Sequence, residues 1–260
     1  MSALSRGAPR AALAALLAAL APLRAAGEGT DAIFADAFEA GDTSAWGDLT
    51  DLSDTFEDGA LSGWSVLNPD DASVAEEGGA LAVEPGPSTL WFDGSSSILV
   101  WKQVTGNFRV SARVRARRAS QPDQVPDELI HLGGLMARDG GAPAENYVFA
   151  VVGRDENDLS VEAKTTADGS STYEGPAWAG AEAELRLCRL GSEFRLYARP
   201  LAGGAWQQPF PTLSTVDRPD LPATLQVGAN AYAFQPDADL RVTWESIDFY
   251  RPQTLADCAD

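Results

Sequence analysis

From about residue 53 onward the apolar residues never recur at helical spacing. They come in short runs, each closed off by Gly, Pro, Asn, Asp or Ser. That pattern admits strands joined by tight turns and little else. The clearest run is residues 107–117, where Phe108, Val110, Ala112, Val114 and Ala116 alternate with Arg109, Ser111, Arg113, Arg115 and Arg117. Successive side chains of a strand point to opposite faces, so this is a half-buried strand with a comb of arginines outside. The comb is expected to pair across strands with acids such as Glu162 or Glu245. Residues 132–137 and 147–152 are apolar at nearly every position, which marks strands covered on both faces. In residues 239–250 the parity of Leu240, Val242 and Trp244 switches to that of Ile247 and Phe249, the phase change of a β-bulge. The expected fold class is all-β, a two-sheet antiparallel sandwich of many short strands.

Residues 1–27 fall outside that pattern. Arg6 and Arg10 precede the apolar run 11–23, and Ala25, Ala26 and Gly27 follow it. A basic flank, a short apolar stretch and a small-residue exit describe a secretory signal peptide, so the protein is expected to be secreted or periplasmic. Nothing later reads as a transmembrane segment. Losing Arg6, Arg10 and Arg24, and no acid, takes the formal charge from −19 to −22, which speaks against nucleic acid as a partner. In an oxidising compartment Cys188 and Cys258 are expected to form a disulfide. Cys188 alternates with Leu185 and Leu187, which puts it on the less buried face of its strand. With a single histidine, His131, most histidine-dependent mechanisms are excluded.

Residues 28–52 read as an acidic leader, 53–252 as the folded domain and 253–260 as a tail. The leader holds Phe38-Glu39-Ala40-Gly41, and the same pattern, F-E-x-G-x-x-S-x-W, returns at Phe56 to open the domain.

The order of motifs carries a resemblance. It runs from D-x-F-E-D-G-x-L-x-G-W at 54–64 through T-L-W-F at 89–92, V-T-G-N-F-x-V-x-A-R-V at 104–114 and G-G-L-M-A-R at 133–138. N-Y-V-F at 146–149, L-S-V-E-x-K-T-T at 159–166 and E-L-R-L-C-R-x-G at 184–191 follow. The stretch from 54 to 250 resembles secreted bacterial concanavalin A-like jelly-roll domains of the DUF1349 and β-xylosidase C-terminal type. The resemblance implies a jelly roll with a concave sheet on which, in carbohydrate-binding members, sugars lie. It does not choose an activity, because one fold hosts lectins, accessory modules and hydrolases alike.

A glycan platform needs aromatic faces and a few fixed polar groups. Trp91, Trp101 and Trp178 are the expected faces, with Arg138 and Tyr147 as polar partners, while Trp64 and Trp244 are expected in the core. Glu156-Asn157-Asp158-Leu159-Ser160-Val161-Glu162 looks like the E-x-D-x-x-x-E strand of retaining glucanases, whose chemistry needs two carboxylates flanking one glycosidic bond. Here Glu156 and Asp158 fall in a polar turn, and Asn157 replaces an apolar residue. The expected arrangement is therefore a solvated turn followed by one outward Glu162. Asp54, Glu57, Asp58 and Asp248 are candidates for a structural calcium ion where the termini meet. The expected function is a non-catalytic carbohydrate-binding module with a glycan or polysaccharide as partner. The alternatives are a glycoside hydrolase with carboxylates on the concave sheet, and a structural surface protein whose concave sheet is covered by its own loops.

Overall fold

The structure is a computed structural model and describes residues 47–260. The expected signal peptide and the first F-E-x-G motif lie outside the described residues. Fourteen strands are formed: β1 (Ser65–Leu67), β2 (Ala72–Glu77), β3 (Ala80–Pro85), β4 (Ile98–Thr105), β5 (Phe108–Arg117), β6 (His131–Arg138) and β7 (Tyr147–Arg154) come first. They are followed by β8 (Leu159–Ala167), β9 (Ser170–Glu174), β10 (Glu182–Leu190), β11 (Glu193–Arg199), β12 (Thr215–Asp217), β13 (Thr224–Ala233) and β14 (Arg241–Tyr250). They make two antiparallel sheets of seven, ordered β1-β4-β13-β6-β7-β8-β9 and β12-β11-β10-β5-β14-β3-β2. The two-sheet antiparallel sandwich expected from the periodicity is the fold.

Strand β5 shows how the sequence builds it. Its five apolar residues are buried between the sheets, and its arginines point outward. The bulge sits where parity switches: Trp244 pairs with Val114 and Ile247 with Ala112, so β14 carries one extra residue there. Both Trp244 and Ile247 thereby face the core. Trp64 is in the core too, its indole donating to Asp54 at 2.8 Å and its ring beside Phe56 and Phe249.

The arginine comb is paired, though only in part as expected. Glu245 receives Arg113 at 2.7 Å and also Arg115, while Glu182 takes Arg117 and Arg115. Glu162 lies on the other sheet and has no part in the comb. At one corner of this outer face a five-residue helix, α1 (Leu255–Ala259), closes over β10. Cys188 and Cys258 form a disulfide there, with Cα atoms 5.6 Å apart. The helix and Trp206 cover Cys188 completely, so its alternation with Leu185 and Leu187 does not mark exposure. Residues 47–52 also pack onto the domain, Leu49 entering the core and the Gly47 carbonyl accepting from Arg251.

Strands β6 and β7 are buried on both faces, as their continuous apolar runs require. Leu135, Ala137, Val148, Ala150 and Val152 enter the inter-sheet core. Leu132, Met136, Tyr147, Phe149 and Val151 build a second apolar layer on the outer face of the first sheet, together with Trp91, Leu99 and Tyr232. What covers that layer is residues 86–97, the strap between β3 and β4, with Trp91 at its centre.

Candidate functional site

The strap crosses the outer face of the first sheet and is tied at several points. Thr89 exchanges hydrogen bonds with Ala233, and Asp93 with Ser171 at 2.8 and 3.0 Å. In the middle the Trp91 carbonyl accepts the Lys164 ammonium at 2.9 Å. Beyond the strap the face stays open, and there Leu90, Phe92, Ile130, Tyr173, Tyr232 and Phe234 wall a cleft of about 220 Å³. Asp155, Glu156, Glu162 and Lys164 supply its charge. Tyr173 and Phe234 are 42% and 46% exposed. Large apolar side chains left in water beside a cavity are the signature of a docking surface.

Strand alternation accounts for the floor. On β8, Val161 and Ala163 enter the core, which turns Glu162 and Lys164 to the outer face. The two are nonetheless buried, and Lys164 Nζ lies 3.1 Å from Glu162 Oε1. Tyr232 on β13 donates its hydroxyl to the same oxygen at 3.2 Å. Four rings surround the ammonium, with centroids 5.0 Å (Phe149), 5.3 Å (Phe92), 5.3 Å (Tyr173) and 5.7 Å (Tyr232) from Nζ. A desolvated cation inside an aromatic box gains from each ring's quadrupole. Burial pushes the Glu162 carboxyl above its ordinary range, and the charge and hydrogen bond of Lys164, with the Tyr232 hydroxyl, offset part of that rise. Burial and the Glu162 charge in turn push the Tyr232 hydroxyl well up.

The β7–β8 turn supplies the other two acids. Asp155 Oδ1 accepts the amides of Asn157 and Asp158 at 2.7 and 3.0 Å, an Asx-turn that closes the hairpin. Its other oxygen lies against Gly175, where a Cβ would come within 2.4 Å. Glu156 is exposed and accepts the Tyr173 hydroxyl at 3.4 Å. Ile130, on the cleft wall, holds a φ of +58°. A β-branched residue reaches that region only at a cost of about 1–3 kcal/mol, and such strain gathers at ligand-binding and catalytic sites.

Of the residues expected from sequence, Trp91, Trp101 and Tyr147 share the apolar layer on the outer face of the first sheet, while Trp178 packs against the inter-sheet core. Trp91 is fully buried beneath the strap, edge-on to Tyr147 at 5.4 Å, and presents no ring face to a ligand. Tyr147 is also buried and stacked on Phe149, with its hydroxyl pushed up to about 12 by desolvation. Arg138 is held bidentately by Glu145, both bonds 2.7 Å, and donates to Gln226. Trp101 lines a shallow depression with Asp139, Gly140 and Gln226. Trp178 lines another depression with Leu201 and Gln207, its indole donating to the Glu182 carbonyl at 3.0 Å. Among the calcium candidates, Asp54 is committed to the Phe56 amide and the Trp64 indole, Asp58 to the Ala60 amide and Asp248 to Ser246. Glu57 is exposed. No group of three or more His, Cys, Asp or Glu among the described residues is arranged to hold a metal ion.

Sequence reasoning placed Glu162 outward on β8 but not in a cleft, and it passed over Lys164, Tyr173, Tyr232 and Phe234. The i, i+2 spacing of Glu162 and Lys164 beside the Asp155–Asp158 turn was the available signal. Glu156 and Asp158 do lie in the turn, so the E-x-D-x-x-x-E spacing does not align three acids along one strand.

No protein-family model matches the chain and no curated protein resembles it in sequence. Solved structures do share its fold. A functionally unknown protein from Saccharomyces cerevisiae aligns over 75% of this chain and 99% of its own length, at 17% identity and a TM-score of 0.60. A family 43 glycoside hydrolase from Bacillus licheniformis aligns over 77% of this chain at 12% identity and a TM-score of 0.59. A xylan β-1,4-xylosidase from Bacillus halodurans aligns over 76% at 16% identity and a TM-score of 0.56. The chain spans 39% of the length of each of these two enzymes. At such identities the likeness establishes the concanavalin A-like jelly roll and nothing about activity. No helix among the described residues is long and apolar enough to cross a membrane.

Proposed function

We propose that this chain is an exported, non-catalytic carbohydrate-binding module whose site is the cleft between the strap, β8, β9 and the end of β13. The observation that carries the reading is the pair of half-exposed rings, Tyr173 and Phe234, set over buried polar groups. Pyranose C–H faces stack on such rings, while hydroxyls need fixed acceptors and donors, here Asp155, Glu156 and the Tyr173 hydroxyl. The disulfide and the expected signal peptide support export to an oxidising compartment. The strap over the centre of the face is what a purely structural role would need, but the cleft beside it is open.

The test is a glycan-array screen of the whole chain followed by calorimetry on each hit. Tyr173→Ala and Phe234→Ala are expected to weaken binding at least about tenfold, roughly 1.4 kcal/mol, with unfolding temperature little changed in Phe234→Ala and somewhat lowered in Tyr173→Ala, which opens the ring box around Lys164. Binding that survives both substitutions would place the site elsewhere. A second reading, glycoside hydrolysis, is favoured by one observation: burial holds the Glu162 carboxyl above its ordinary range in a cleft with two further acids. Cleavage of a bound glycan that disappears in Glu162→Gln would establish it. Against it stands the Lys164 ammonium 3.1 Å from Glu162 Oε1, which favours the carboxylate over the acid.

A further inference from the structure

The charges of the cleft do not balance. Three carboxylates line it against one cation, and that cation, Lys164, is already engaged by Glu162, the Trp91 carbonyl and four rings. Among the described residues neither Asp155 nor Glu156 forms an ion pair. Asp155 is only 6% exposed, yet its Oδ2 accepts no hydrogen bond from any described residue. Gly175 lies close against that oxygen, leaving no room for a side chain there. That oxygen keeps some contact with solvent, and a ligand in the cleft could offer it a donor or a positive charge. Lys164 shows how this cleft accommodates an ammonium, between a carboxylate and aromatic faces.

We propose that the ligand is a saccharide carrying a free amino group, its ammonium facing Asp155 and Glu156 and its ring lying on Tyr173 and Phe234. The inference rests on the glycan reading above and names the chemical class of that ligand. The formal charge of −19 acts in the same direction, drawing a cationic polymer toward the protein and repelling uronates. N-acetylation would remove the charge and leave the stacking intact.

The deciding experiment is calorimetry of the whole chain with a glucosamine oligomer, its N-acetylated counterpart and a neutral xylo-oligosaccharide of equal length, each at low and high salt. The glucosamine oligomer is expected to bind at least tenfold tighter than the other two, and to lose most of that advantage at high salt. Asp155→Asn, which keeps the Asx-turn, should abolish the preference for the glucosamine oligomer over its N-acetylated counterpart. Glu156→Gln, at an exposed position, should reduce the preference without touching the fold. Equal affinity for all three oligomers, or a preference unmoved by both substitutions, would overturn the amino-sugar inference and leave the glycan reading standing. Failure of every saccharide to bind would overturn both.

Discussion

The two outer faces of this sandwich are built from the same pleat and end in opposite chemistry. On the second sheet, Arg113, Arg115 and Arg117 of β5 lie in rows with Glu182 and Glu245, all partly in water. Such pairs are worth little individually, because water screens them and ordering long side chains costs entropy. On the first sheet, one acid and one lysine of β8 lie beneath rings and a strap, nearly out of water. Two charges in that setting are costly to bury and costlier to separate. Polarity alone therefore does not distinguish the two faces; a desolvated charge beside exposed aromatic rings does.

Removing one side of each pair exposes the contrast most strongly. Lys164→Met should destabilise the protein by about 3–5 kcal/mol, since it strands Glu162 and frees the Trp91 carbonyl. Denaturant unfolding measures this, and Glu162→Gln added to Lys164→Met should recover much of the loss. Recovery of nothing would mean that the strap contact, and not the ion pair, matters.

The pH dependence sharpens the same comparison, because its sign differs between the faces. The folded state binds the Glu162 proton more tightly than the unfolded chain does. Stability from this group therefore falls as pH rises from the ordinary glutamate value of 4.5 through the raised one, at up to about 1.4 kcal/mol per pH unit. Glu162→Gln should flatten that slope. Hydrogen bonds from Arg115, and then Arg113, hold the Glu245 carboxyl below its ordinary range. Its contribution is present above 4.5 and is lost as pH falls through the lowered value. The smallest effect is expected from Glu245→Ala, about 0–1 kcal/mol near neutral pH and shrinking with salt. A loss there matching that of Lys164→Met would erase the distinction drawn between the faces.

Much of the fold was legible along the chain. The alternation of 107–117, the doubly covered β6 and β7 and the bulge of β14 each follow from side-chain parity within one segment, which is local information. The continuous apolar runs of β6 and β7 even announced that something covers the first sheet outside. They did not say that the cover is the strap at 86–97, nor that Trp91 would be spent as its plug and lost as a sugar platform. Cys188 was misjudged for a related reason: the helix that covers it lies 70 residues away in sequence.

The sequence by itself determined the class of fold, the inward and outward sides of alternating strands such as β5 and β14 and the place of the β7–β8 turn, because these depend on neighbours two residues apart. Only the tertiary structure decided which outward residues are dry. Tyr232 reaches Glu162 across two intervening strands, Phe234 follows it at the end of β13, and Phe92 and Tyr173 arrive from two other segments. Burial of a charge depends on everything that packs over it. Strand order and a loop crossing set that packing here, and no period in the chain encodes either.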